Sequence, residues 1–68
     1  MNDTYLERAI KQIEDPKVLS ILAAKRAREL ARGKRPLVRT EDKEYVDIAL
    51  LEIAEGLVVP ELADIEED

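Results

Sequence analysis

The stretch from Val18 to Val38, VLSILAAKRARELARGKRPLV, decides how this chain folds. It begins as an apolar helical pattern, becomes strongly basic from Lys25, and stops at Gly33. Leucines and alanines share one broad arc of the predicted helix, and a stripe of small residues lets another backbone approach closely. The residue before a proline is pushed into extended geometry, so the Pro-Leu-Val after Gly33 predicts a short extended connection.

Cap and stop signals on both sides extend this prediction to the whole chain. Asp15 and Pro16 predict a helix start, because aspartate accepts a hydrogen bond from an early backbone amide and proline is preset for the first helical position. Thr40 is the best candidate cap for a later helix, and Gly56 ends that helix. We expect helices over residues 5–13, 16–32 and 41–55, then a single short turn and an acidic tail over about 60–68. The sequence therefore predicts one all-α domain over residues 1–68.

The composition argues against most kinds of catalytic or metal site. The 68 residues include no cysteine and no histidine, so a disulfide is impossible and a zinc site is not expected. Ser20 has no histidine to activate it, and two glycines cannot make a glycine-rich phosphate loop. Glu52 and Glu55 are expected to be ordinary solvated charges and not an acid–base pair. We therefore expect neither an enzyme nor a cofactor.

Size and hydropathy indicate a protein that works with a partner. A domain of this length buries only about 60% of the surface of its unfolded chain, and its core rarely supplies more than ~3–5 kcal/mol. The residues are 46% hydrophobic but no cross-link is available, so we expect a partner to complete the fold. The apolar runs are short and the N-terminus, MNDTYLERAI, lacks a signal-peptide pattern. A cytoplasmic location without a membrane segment is expected.

Charge is arranged in blocks along the chain. Residues 25–39 carry seven basic side chains and one acid, a local charge of +6, whereas residues 40–68 carry eleven acids and one lysine, a local charge of −10. A free-standing helical nucleic-acid-binding regulator that uses residues 25–39 is therefore one hypothesis. The net charge of −5 and the acidic third helix, which would be repelled by phosphates, oppose it. The other hypothesis is protein docking without direct nucleic-acid contact.

A few residues break the amphipathic pattern of the two longer helices. Arg26 lies inside the apolar arc, between Leu22 and Leu30. Two interpretations stay open: the stem is buried while the head reaches water, or the guanidinium pairs with a carboxylate or carbonyl of this chain or of a partner. Four aliphatic residues also fall on the charged sides of their helices, which predicts a contact surface. They are Val18, Ile21, Ile48 and Leu51.

Three segments occur in an order that is typical of one family. They are a short first helix, LAAKRARELARGKRPLV at residues 22–38, and IALLEIAEGLV at residues 48–58. In this order the chain resembles the omega subunit of bacterial DNA-directed RNA polymerase. The family pattern of Ala-Ala-(Lys/Arg)-Arg-Ala-Arg, Gly, Pro-Leu-Val and Ile-Ala-Leu-x-Glu-Ile-x-Glu-Gly is matched almost throughout. The resemblance covers roughly residues 5–58.

The resemblance implies a small helical fold that wraps the C-terminal part of the largest catalytic subunit, beta prime. It implies a subunit that helps beta prime to fold and to join the alpha and beta subunits in the core enzyme, without catalysis of its own. The matched positions would form the docking region and its supporting contacts. In the first motif they are Ala23, Ala24, Arg26, Ala27 and Arg28, and after it Pro36, Leu37, Val38, Ile48, Ala49, Glu52 and Ile53.

The chain departs from the family pattern at three places. Some members help to bind guanosine tetraphosphate through an N-terminal Met-Ala-Arg and an arginine in the last motif. Here those places hold Asn2, Asp3 and Leu51, which argues against alarmone binding through this chain. The segment before the first motif reads PKVLS, where an Arg-aromatic-x-Leu-Val type is usual.

Overall fold

A computed structural model describes residues 1–65, and every regular element within that range is helical. The four helices are α1 (Asp3–Gln12), α2 (Pro16–Ala31), α3 (Tyr45–Ala54) and α4 (Leu62–Ile65). The predicted all-α fold class is therefore confirmed. The last three residues of the predicted acidic tail lie outside the described range. Across residues 1–65, no helix combines the length and the apolar character that a membrane crossing requires.

The limits of α2 follow from local chemistry. The Asp15 carboxylate accepts hydrogen bonds from the backbone amides of Lys17 and Val18, and Pro16 occupies the first turn, as the sequence predicts. The helix ends at Ala31 because Gly33 turns the backbone into the left-handed region, with a φ of 105°. The amides of Gly33 and Lys34 then donate to carbonyls of the last turn, which is a Schellman cap.

The start of α3 differs from the prediction by about four residues. Thr40 does not cap this helix: its hydroxyl donates to the Asp42 carboxylate at 2.6 Å and accepts from the Asp42 backbone amide at 3.0 Å. Such a local side-chain turn competes with helix formation, so α3 begins only at Tyr45. The first helix is also shifted. It runs from Asp3 to Gln12 because the Asn2 side chain accepts from the Tyr5 backbone amide.

The centre of the molecule is α3. Helices α1 and α2 each pack along α3 but barely touch each other. The α3 residues Ile53 and Ala49 are fully buried, and Leu50 is 2% exposed. A helix that is buried on most of its circumference is apolar on most of its circumference, which explains the run of aliphatic residues here. The core thus lies around α3 and not along one face of α2.

Ile48 shows why the helical wheel fails at α3. The sequence places Ile48 among the acids on an outer side of the helix, and this expectation is wrong. Ile48 is 5% exposed and lies in a second small core cluster with Leu30 and Ala49, which Ala27 and Val38 complete. Partners pack on two sides of α3, whereas a wheel assigns one buried face.

Helix α4 returns the end of the described chain to α2. The Lys25 ammonium nitrogen lies 3.6 Å from a Glu61 carboxylate oxygen and 3.7 Å from one of Asp64. Asp64 is buried and accepts a hydrogen bond from the Glu61 backbone amide. Ile21 is one helical turn before Lys25, so α4 lies beside the flank of α2 that carries Ile21.

Candidate functional site

A buried ion pair joins α2 to α3. The Arg26 Nε donates to Glu52 Oε1 at 2.7 Å, and Arg26 Nη2 donates to Glu52 Oε2 at 3.0 Å. Arg26 is 8% exposed and Glu52 is fully buried. This two-pronged geometry matches the fork of a guanidinium to the two oxygens of a carboxylate. Of the two interpretations of Arg26, the structure shows pairing with a carboxylate of the same chain.

The same pair also holds the extended connection between the helices. We call residues 34–38 the strap, and the Arg26–Glu52 pair with its strap contacts the clamp. The Leu37 backbone amide donates to Glu52 Oε2 at 2.8 Å, and Arg26 Nη2 donates to the Arg35 carbonyl at 3.3 Å. Glu52 thus accepts three hydrogen bonds. Buried charges are tolerated when their hydrogen-bonding capacity is met in this way.

The electrostatics of the clamp favour the charged form of Arg26. The pKa of the Arg26 guanidinium is raised above its ordinary value, chiefly by the hydrogen bond to Glu52, while burial opposes the shift. Arg26 Nη1 also lies 3.3 Å from a Glu29 carboxylate oxygen on the same helix. Arg26 therefore stays a cation, and the clamp is a fixed structural element rather than a site that exchanges protons.

The clamp presents the strap as an ordered apolar edge. Pro36 is exposed, and the Leu37 side chain is 55% exposed although its backbone is anchored by Glu52. A shallow depression of about 420 Å³ adjoins it. We define the strap surface as the apolar residues that line this depression. They are Leu37, Val38, Leu51 and Leu57.

The structure divides the predicted docking residues into three groups. The exposed group consists of Ala24, Arg28, Pro36 and Leu37. The half-buried group consists of Val18, Ile21, Ala27, Val38 and Leu51. The buried group consists of Ala23, Arg26, Ile48 and Glu52. The expectation that Glu52 is a solvated charge is wrong, because Arg26 draws it into the core. That the exposed and half-buried members contact a partner stays a prediction.

The sequence analysis did not identify Leu57 as part of the strap surface. It also did not identify the hydrogen bonds that join Tyr5, Thr40 and Asp42. Leu57 follows Gly56, and its 50% exposure depends on where the chain turns after α3. The Tyr5 hydroxyl donates to Asp42 Oδ2 at 2.8 Å across 37 positions in the sequence. No local signal links residues so far apart. The only local sign of these hydrogen bonds was Thr40, a potential helix cap two residues before Asp42.

The Asp42 network makes a testable contribution to pH dependence. The pKa of the Asp42 carboxyl lies below its ordinary 3.8 because the hydroxyl of Thr40, and then that of Tyr5, donates to the ionised form. This contribution to stability is fully present above pH 3.8 and is lost as the pH falls through the lower folded pKa. The pKa of Tyr5 is raised above 10.0, chiefly by the same hydrogen bond, so its contribution disappears as the pH rises through that folded pKa.

Replacing Tyr5 by phenylalanine is expected to move the pKa of Asp42 back up toward its ordinary value. Only the Thr40 hydroxyl then still favours the carboxylate, so the shift should be partly and not wholly removed. A carbon-13 NMR titration of the Asp42 carboxyl measures this directly. Tyr45→Phe is the matched control, since no hydrogen bond joins Tyr45 to Asp42. An unchanged Asp42 pKa in Tyr5→Phe contradicts the assigned hydrogen bond.

Two cations of the basic segment form ion pairs with carboxylates of the same chain. Arg26 is held in the clamp, and Lys25 pairs with Glu61 and Asp64. The exposed cations that remain are spread over the end of α2, the strap and Arg39. This arrangement weakens the hypothesis of a continuous nucleic-acid-binding face, which needs clustered cations on one surface.

Known proteins match the chain over the same residues that build the clamp and the strap. The sequence model of the RNA polymerase Rpb6 family matches residues 18–60. The DNA-directed RNA polymerase subunit omega of a Nitratiruptor species is 61% identical over 44 residues, which cover 62% of this chain and 63% of that protein. The subunit omega of Campylobacter lari is 46% identical over 57 residues, 79% of each chain.

Further matches have the same character. The subunit omega of Campylobacter concisus is 48% identical over 54 residues, which cover 75% of this chain and 76% of that protein. No solved structure matches the chain. The range matched by the family model includes Arg26, Glu52 and the strap, so the clamp lies within the region shared with the family. The chain therefore belongs to the RNA polymerase Rpb6 family, as a relative of the omega subunits of bacterial DNA-directed RNA polymerase.

Proposed function

We propose that this chain is a non-catalytic accessory subunit of bacterial RNA polymerase. It binds the largest subunit, beta prime, and promotes the folding of beta prime and its assembly with the alpha and beta subunits, in the cytoplasm. Membership in the family carries this proposal, since the curated relatives are named as polymerase subunits. The match spans 63% of the Nitratiruptor protein and 79% of the Campylobacter lari protein.

The proposed mechanism is stabilisation linked to binding. A ligand that binds only a folded or partly assembled state removes unfolded alternatives by mass action. The strap surface supports such a role because the clamp already holds its backbone in place through Leu37. A surface that is ordered before binding loses less conformational entropy on binding, which increases affinity. Leu37 and Leu57, at 55% and 50% exposure, are apolar groups that gain by being covered.

Co-purification from the cell that makes the protein tests this function. A tagged copy is expected to bring down beta prime at near-stoichiometric yield, together with the rest of the core enzyme. Leu37→Asp should reduce that yield, because it places a charge on the strap surface without touching the anchored backbone amide. Leu62→Asp is the matched control, since Leu62 is a similarly exposed leucine on α4, at 67%. Absence of beta prime from the wild-type preparation refutes the proposal.

The assembly role has its own measurement. Denatured beta prime is refolded with the alpha and beta subunits, in the presence or absence of the wild-type chain. A higher yield of active core enzyme in its presence is expected, and the Leu37→Asp chain should give less of this gain. If the yield of active core enzyme is the same with and without the chain, the chain does not promote assembly. The proposal would then be reduced to binding of beta prime.

A further inference from the structure

An open apolar groove of about 380 Å³ lies between α1 and α2. It exists because both helices pack on α3 while barely touching each other. Leu6 and Ile10 line it from α1, and Ser20 and Ala24 line it from α2. Leu50 of α3 contributes to its floor. This groove is on a different part of the surface from the strap, whose depression is lined by other residues.

The two walls of the groove differ in shape. The α2 wall carries small side chains, and Ser20 and Ala24 are both exposed there. The α1 wall carries longer aliphatic side chains, and Ile10 is 45% exposed. A small-residue wall lets a partner backbone lie close, while the aliphatic wall contacts its side chains. These are the requirements of an amphipathic helix bound in a groove, whose apolar residues recur every three to four positions.

The rims of the groove carry opposite charges. Asp3 and Glu7 are exposed on α1, where helical spacing places them beside Leu6 and Ile10. Arg28 is exposed on α2, one turn after Ala24. The Asn2 backbone amide donates to the Asp47 carboxylate near the start of α3, and Arg8 pairs with Glu55 just after its end, so α1 runs parallel to α3.

Helix α2 runs antiparallel to α1 and α3, so the C-terminal end of α2 lies at the same end of the groove as the N-terminal end of α1. Leu30, near the end of α2, packs against Ile48 and Ala49 early in α3. The acidic start of α1 and the basic end of α2 are therefore at the same end of the groove. An occupant that matches this arrangement carries basic residues along the flank toward α1 and acidic residues along the flank toward α2.

We propose that this groove binds an amphipathic helix of the largest polymerase subunit, with an aliphatic stripe flanked by basic residues on one side and acidic residues on the other. This inference rests on the proposed function. A second copy of this chain is a poorer occupant. Within residues 1–65, the exposed large apolar side chains of the three longer helices are Ile10, Tyr45 and Val46, which form no stripe at three- to four-residue spacing, and α4 has only four residues.

A large side chain introduced on the α2 wall of the groove tests the proposal. Ala24→Phe in the full chain should reduce recovery of polymerase by about tenfold or more, since the added ring occupies the space of the partner helix. Ala24 is exposed, so helicity and thermal midpoint of the free chain should be unchanged. Ala63→Phe is the matched control: it adds the same ring at an exposed alanine on α4. Recovery of polymerase at the wild-type level with Ala24→Phe overturns the proposal.

A separate pair of variants tests the assignment of the basic rim to α2. Arg28→Glu should weaken recovery, and the loss should shrink as salt is raised, because exposed charges are screened. Lys43→Glu is the control, because Lys43 is an exposed cation in the connection before α3 and lines neither the groove nor the strap depression. Equal losses for the two variants contradict the assigned flank.

Photo-crosslinking identifies the occupant even if a variant folds poorly. A photoreactive side chain at Ser20 of the tagged full chain should capture a peptide of the largest subunit that has the stated stripe and flanks. Capture of a second copy of this chain, of another protein, or of a peptide without that pattern overturns the proposal. The two proposals fail differently. If wild-type chain brings down no polymerase, the function fails, whereas if it does and the groove variants behave like wild type, only the groove assignment fails.

Discussion

Replacing Glu52 by alanine is expected to lower the free energy of unfolding by about 3–5 kcal/mol, enough to unfold most of the isolated chain. The change leaves the Arg26 cation buried without its carboxylate, and it also removes the acceptor of the Leu37 backbone amide. An unpaired buried charge is costly because no water replaces the lost partner. Urea denaturation followed by helical circular dichroism measures the loss.

Two further variants separate the clamp from charge removal in general. Glu55→Ala, three residues later at the C-cap of α3, removes a carboxylate that pairs with Arg8 at the surface, where both side chains are more than 40% exposed. Exposed pairs contribute about 0–1 kcal/mol, so little change is expected. The double change Arg26→Met with Glu52→Leu should recover much of the lost stability, since an apolar pair of similar volume replaces the ion pair. A Glu52→Ala chain as stable as Glu55→Ala contradicts the buried clamp.

Replacing Ile53 by alanine is expected to cost about 2–5 kcal/mol, the second-largest effect. Ile53 is fully buried in the cluster that brings together α1, α2 and α3, with Ala9, Leu22 and Leu50 around it. Removing its larger side chain leaves a cavity that three helices line, so relaxation of one helix does not close it. Chemical denaturation of the purified chain gives the free energy directly.

Val46→Ala is the control for this prediction. Val46 falls on the same side of α3 in a helical wheel, but it is 41% exposed and lines the open groove between α1 and α2. A change within about 0.5 kcal/mol is expected for such a partly exposed site. Similar losses for Ile53→Ala and Val46→Ala contradict a core centred on the middle of α3.

The clamp connects these stability predictions to the two proposed docking surfaces. Strap and groove lie on different sides of one small core, and neither has a scaffold of its own. A Glu52→Ala chain should therefore bind polymerase more weakly although the side chains of the strap surface are the same, because part of the binding free energy is used to fold the chain. Leu37→Asp, in contrast, should weaken binding while leaving the free chain folded. Comparing the two distinguishes loss of fold from loss of contact.

Local chemistry determined a large part of this molecule from sequence alone. The start of α2 at Asp15 and Pro16 and its end before Gly33 depend on hydrogen bonds between near neighbours, so the sequence contains them directly. The motifs at 22–38 and 48–58 likewise sufficed to predict the family. The position of Arg26 in an apolar arc left two interpretations open, and the structure shows the one in which the guanidinium pairs with a carboxylate.

Only the tertiary structure decided which partners these residues meet. Glu52 and Ile48 look like surface residues on a helical wheel, and they are buried because α2, the strap and α1 surround α3 on several sides. The Tyr5 and Asp42 contact and the groove between α1 and α2 arise in the same way. Helical periodicity predicts which residues share a face of a helix. Whether that face is buried depends on packing between segments that are far apart in the chain, and periodicity carries no information about such packing.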